Sequence, residues 1–176
     1  MEVVLYTLPS AVMLLGVFFV VNRFLQEESN RLNIMLRQSI AKENQKISLP
    51  LRYQAYERLA LLLERMHPQQ IIARNPATGS ISAKEYINML IVDISSEYQY
   101  NLTQQIYVSG DIWQLITQVK QQMQIMFYEI ADALPKNASA DDFVNAILKY
   151  VEDTPSDKLP VNVGLKYLRN EVTQLH

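Results

Sequence analysis

Residues Val3 to Val21, VVLYTLPSAVMLLGVFFVV, carry no charged side chain. Nineteen residues wound as a helix at about 1.5 Å per residue extend about 28 Å, close to the roughly 30 Å hydrocarbon thickness of a bilayer. The run, residues 1–21, therefore reads as a transmembrane anchor, with Val3, Leu14, Phe18 and Val21 among its members and membrane lipid as its partner. A cleaved signal peptide is the competing reading. It needs a cationic start, an apolar stretch of about 7–15 residues and a small-residue cleavage site. Here only Met1 and Glu2 precede the run, and it leads into Asn22-Arg23-Phe24-Leu25 with no A-x-A pattern. With no cysteine in the chain, a lipoprotein is excluded.

Orientation follows from the flanking cations, because Lys and Arg resist translocation. Arg23, Arg31 and Arg37 all lie on the C-terminal side of the run, followed by Lys42 and Lys46, whereas Glu2 and the α-amino group stand on the other. The N-terminus is expected outside and the rest of the chain in the cytoplasm. A net charge of −2 gives no general attraction to nucleic acid, so none is expected as a partner. The hydrophobic fraction of 49% includes the run yet leaves enough Leu, Ile, Val and Tyr for a core. Four glycines and seven prolines suit a few firm breaks between long helices.

From Asn22 to Lys46 no Pro or Gly interrupts the chain, and Leu25, Leu32, Leu36 and Ile40 recur near the helical period. Glu27 and Glu28 are spaced to pair with Arg31 one turn later. Residues 22–47 are expected to be a juxtamembrane helical stalk whose apolar seam, broken at Glu28 and Ser29, makes a second copy of the chain a candidate partner, the plainer alternative being a stalk packed on its own domain or simply solvated. Ser48-Leu49-Pro50 reads as a stop and restart. Residues 48–176 then form a helical cytoplasmic domain of about five helices. The first buries Ala55, Tyr56, Leu59, Leu62, Leu63 and Met66, and Pro68 ends or bends it. Asn75 to Gly79 is a loop.

Ser82 with Glu85 forms a capping box, in which each side chain bonds the other residue's backbone N–H, and Ala83, Ile87, Leu90, Ile91, Ile94 and Tyr98 make the stripe that follows. Tyr100 to Val108 fits no helix well. Ser109 caps a long helix ended by Pro135, Ser139 with Asp142 repeats the capping box, and the last helix starts near Pro160.

Catalytic chemistry has few candidates. Only His67 and His176 offer an imidazole base, one beside a proline and one at the C-terminus, so capping or surface roles are expected for both. Zinc and EF-hand spacings are absent, and the glycines at 16, 79, 110 and 164 are too scattered for a phosphate loop. No catalytic residue, metal ligand or cofactor is expected, and the chain reads as a non-enzyme. Tyr98, Tyr100 and Tyr107 cluster around the irregular segment with Trp113 just beyond. Rings of that kind suit a partner surface, although aromatics beside a buried connection more often fill gaps between helices. The Gln-rich face of the long helix, Gln114, Gln118, Gln121 and Gln122, could pack on another protein without burying unpaired charge, or simply face solvent. Asn101-Leu102-Thr103 and Asn137-Ala138-Ser139 match glycosylation sequons, relevant only in a secretory compartment.

Two stretches, LPLRYQAYERLALLLER from Leu49 to Arg65 and EYQYNLTQQIYVSGDIW from Glu97 to Trp113, resemble an uncharacterised family of small single-span membrane proteins of Bacteroidota with a helical cytoplasmic domain. The resemblance implies a bacterial inner membrane and carries over no functional residue. The expectation is thus an all-α, single-pass protein acting as an interaction or scaffold module at the cytoplasmic face of that membrane, as a subunit of a larger complex. The alternative is a small-molecule or lipid-binding module with a pocket near Tyr98, Tyr100 and Trp113, with Tyr56 lining it.

Overall fold

The computed structural model describes the backbone of residues 2–78 and 80–174 and, within these, the side chains of residue 13 and of those from 15 onward. They form six α-helices: α1 (Glu2–Met66), α2 (Pro68–Arg74), α3 (Ala83–Tyr100), α4 (Gly110–Asp132), α5 (Ala140–Asp153) and α6 (Pro160–Thr173). Short 3₁₀ turns stand at Leu102–Ile106 and Ser156–Lys158. The all-α expectation holds, with no strand among the described residues. By compactness the chain divides into two units, Met1–Leu49 and Pro50–His176.

In the first unit α1 is continuous through the expected stalk. Every described side chain up to residue 48 is exposed, including Phe18, Phe19, Val20, Val21, Phe24 and Leu25. Glu27 pairs with Arg23, at 3.6 Å, rather than with Arg31. The expected span, residues 3–21, falls mostly outside the residues with described side chains, Val3 and Leu14 among them. Among the described residues no helix is long and apolar enough to cross a membrane.

The expected stop at Ser48-Leu49-Pro50 is not a break, since α1 carries on to Met66. Pro50 supplies no N–H, so the helical bond to the Lys46 carbonyl is lost. Both residues are exposed, and water can take that carbonyl. Proline thus marks the boundary between the compact units without ending the helix.

The second unit is a helical bundle around one core. All six positions expected on the first buried stripe, Ala55 through Met66, are buried, as are Tyr86, Ile87, Leu90 and Ile94 of α3 and Ile112, Ile116, Val119, Met123, Met126 and Phe127 of α4. Phe143 of α5 stands edge-on to Tyr86 and to Phe127, with ring centroids 6.2 and 6.0 Å apart. Val161, Leu165 and Leu168 of α6 complete the core, while Val172 is half-buried.

Helix ends follow the expected signals. Met66 closes α1, and His67 caps α2 with Pro68 as its first residue. Both capping boxes are complete, at Ser82/Glu85 and at Ser139/Asp142. These two caps lie side by side: Ala83 N–H donates to the Ala138 carbonyl at 3.0 Å and Ala140 N–H to the Ile81 carbonyl at 3.1 Å. The starts of α3 and α5 are thereby stitched together. Helix α2, which spacing alone did not suggest, seats Ile71 in the core.

Candidate functional site

Tyr98 and Tyr100 are two residues apart on α3, and such residues project from nearly opposite sides of a helix. The structure separates them accordingly. Tyr98 is half-buried against α4, with its hydroxyl 3.0 Å from Thr117 Oγ1, its ring 5.3 Å from that of Trp113, and Lys120 Nζ 4.7 Å from its centroid. This pair fills the α3/α4 seam. Tyr100 is 76% exposed, whereas Tyr107 follows the 3₁₀ turn on a separate segment. Tyr56, proposed as a fourth wall, is buried and donates its hydroxyl to Glu171. The four rings therefore do not converge on one pocket.

What Tyr100 lines instead is an open groove of about 610 Å³, bounded by Arg58, Leu61 and Arg65 on α1 and by Ser96, Glu97 and Asn101 at the end of α3. Its floor and rim differ in chemistry. Leu61 is 59% exposed between the buried Leu59 and Leu62, an apolar side chain left on the surface beside Tyr100. Arg58 has no carboxylate partner among the described residues. Along α3 the spacing of Met89, Val92, Ser96 and Tyr100 puts them on one face, and Met89 and Val92 are exposed. The result is an apolar strip with one uncommitted cation.

The groove's other polar wall is internally satisfied. Arg65 Nε donates to Glu97 Oε1 at 2.8 Å, which raises the affinity of this guanidinium for its proton further. Arg74 donates to the Arg65 carbonyl at 2.8 Å and to Asp93 Oδ2 at 2.7 Å, and Asn75 donates to the same Asp93 oxygen at 2.8 Å. Two cations and two carboxylates thus tie α1, α2 and α3 together. This cluster pairs charges that lie far apart in sequence, which periodicity within single helices cannot show.

A second groove, of about 680 Å³, runs between α4 and α6. Gln114, Gln118 and Gln122 form one rim and Tyr167, Asn170 and Gln174 the other, over Leu115, Val119 and Val163. Three of the four glutamines singled out in the sequence are therefore brought together.

The remaining candidates are placed as follows. His67 Nδ1 accepts the Gln69 N–H, a capping role, and its burial lowers its proton affinity. His176 lies outside the described residues. Asn101 of the first sequon is buried and donates to the Glu97 carbonyl at 2.9 Å. Among the described residues no three His, Cys, Asp or Glu side chains gather as a metal site, and no buried side-chain nitrogen or oxygen lacks a hydrogen-bond partner.

The class defined by this fold and surface is an all-α chain with open interhelical grooves in one unit and an exposed helix in the other. The chain belongs to a family of unknown function (DUF7935), whose match spans residues 1–175 and so takes in both the apolar run and the helical bundle. No curated protein and no solved structure matches it.

Proposed function

We propose that this protein is a single-pass, non-enzymatic docking module of a bacterial inner membrane, with its N-terminus outside and its helical bundle in the cytoplasm. One observation carries the reading. The described side chains of the uncharged apolar run, Met13, Leu15 and Val17 to Val21, are exposed on every face of their helix, so nothing among the described residues shields them from water. An apolar helix surface with no protein cover is the surface that lipid covers. Arg23, Arg31 and Arg37 beyond it are exposed and set the orientation. The bundle then offers its partner the strip of Met89, Val92, Leu61 and Tyr100, with Arg58 at its side.

The test uses the absence of native cysteine. Single-cysteine chains Glu2→Cys and Gln45→Cys are expressed in cells and treated with a membrane-impermeant maleimide. Glu2→Cys is expected to label in intact spheroplasts and Gln45→Cys only after lysis; the opposite pattern overturns the topology. For the docking surface, proteins co-purifying with the gently solubilised chain are compared with those of Leu61→Asp and Tyr100→Ala. Loss of the same partner from both variants supports the strip, and an unchanged set rejects it.

A further inference from the structure

We propose that the partner of the exposed helix in the first unit is a second copy of the same helix, parallel and in register, held along an eleven-residue apolar repeat. The stripe consists of Phe18, Val21 and Leu25, then Ser29, Leu32 and Leu36, then Ile40, Glu43 and Ile47. Each triplet repeats the last at a distance of eleven residues, and seven of the nine positions are apolar. The heptad that starts on the same residues continues through Glu28, Leu32, Met35, Ser39, Lys42 and Lys46, and only five of its nine positions are apolar. Eleven residues over three turns is about 3.67 per turn, so the stripe stays on one side of a nearly straight helix instead of winding round it. The break at Glu28 and Ser29 is thus a change of register, with Ser29 in the seam and Glu28 beside it.

All seven apolar members are exposed, from 47% at Val21 to 62% at Phe18 and Ile47. The stripe is about 44 Å long at 1.5 Å per residue. A surface of this length and period is matched layer by layer only by a rod with the same period, and a second copy meets that condition by construction. Glu43, the one charged layer, carries its own Lys46 ammonium 3.3 Å away, so two such layers meet as ion pairs and not as bare carboxylates. The parallel sense rests on the anchor reading above: two chains tethered at the same end to one membrane present the stripe in the same direction and at high effective concentration.

The experiment is disulfide trapping of the full chain in its native membranes. Leu25→Cys, Leu36→Cys and Ile47→Cys sit on the stripe, Ile34→Cys and Gln38→Cys on the far side of the helix, and Met35→Cys and Ser39→Cys on the heptad alternative to Leu36 and Ile40. Disulfides need Cβ atoms about 3.5–4.5 Å apart, so stripe variants are expected to give dimer about tenfold faster than far-side ones, with Ile40→Cys ahead of Ser39→Cys. Equal rates round the helix, or a strictly monomeric mass in mild detergent, overturn the proposal. Trapping at Leu36→Cys but at neither Leu25→Cys nor Ile47→Cys signals antiparallel rods and overturns the parallel register. A chain that trips the stripe-selective result yet leaves the membrane in alkaline carbonate overturns the anchor and upholds the pairing; one that stays in the membrane and traps on no face overturns the pairing alone.

Discussion

Glu171 shows how one side chain can organise several helices. Its carboxylate accepts the hydroxyl of Tyr56 from α1 and that of Ser109, 2.8 Å away, which also caps α4 by accepting the Ile112 N–H at 3.2 Å. Glu171→Ala leaves both hydroxyls without their charged acceptor and is expected to destabilise the bundle by about 2 kcal/mol in denaturant titrations. Tyr56 is the sensitive end of this link, because burial, reinforced by the bond to Glu171, pushes its phenol above the ordinary value near 10. Tyr86 is raised as well, first by burial and then by Asp141. A raised pKa means that the folded state holds the proton more tightly. Their contribution is therefore complete below about pH 10 and is lost as pH climbs through the folded values. Tyr56→Phe is expected to flatten that alkaline loss in thermal melts from pH 9 to 11. His67 works in the opposite sense. Its burial lowers its pKa, so its contribution is complete above about pH 6.5 and is lost as pH falls through the folded value. His67→Asn, which keeps an N-cap acceptor, is expected to remove the acid-side loss.

At the scale of elements, local chemistry was legible and pairing between elements was not. Ser82, Ser109 and Ser139 declare helix starts through bonds reaching at most three residues, Pro160 marks another by its fixed ring, and these four starts lie where the sequence places them, whereas Pro68 signals only an end and α2 starts on it. Ser82→Ala and Ser139→Ala should each cost about 1 kcal/mol. Because the two caps are bonded to one another's strands of backbone, the double variant should depart from additivity, which a double-mutant cycle in urea measures. Pro50 misled because a proline ends a helix only when nothing downstream holds the chain helical, and the stripe from Ala55 onward does. The separation of Tyr98 from Tyr100 hinged on α3 running to Tyr100, two residues past the last apolar signal in its stripe. Spacing gives Gly164 no role, yet a Cβ there would lie 3.0 Å from a Val119 methyl and 3.3 Å from Leu63, so it permits the close approach of α6. Gly164→Ala gains about 1 kcal/mol of helix propensity but overpacks two buried side chains at about 1–3 kcal/mol, and a lower melting temperature is expected.

For the molecule as a whole, two kinds of helix share one chain. The bundle from Pro50 onward buries its stripes and pairs half-buried charges, Arg65 with Glu97 and Arg74 with Asp93. The helix before it buries none of its described side chains up to residue 48. That contrast was legible in outline, since amphipathic stripes follow Pro50 while the start of the chain is apolar on all sides. The groove at Arg58, Leu61 and Tyr100 was not, because it is lined jointly by α1 and α3, whose residues lie far apart in the chain. Membrane anchoring is the central claim, and alkaline carbonate extraction of membranes tests it most directly, comparing the native chain with Leu14→Arg/Phe18→Arg. An arginine at the centre of a span costs about 2.5–3.5 kcal/mol, a cost that Leu14→Arg meets more nearly than Phe18→Arg, which lies closer to the end of the run. The native chain should stay in the pellet and the double variant move to the supernatant. Release of the native chain by carbonate contradicts the anchor.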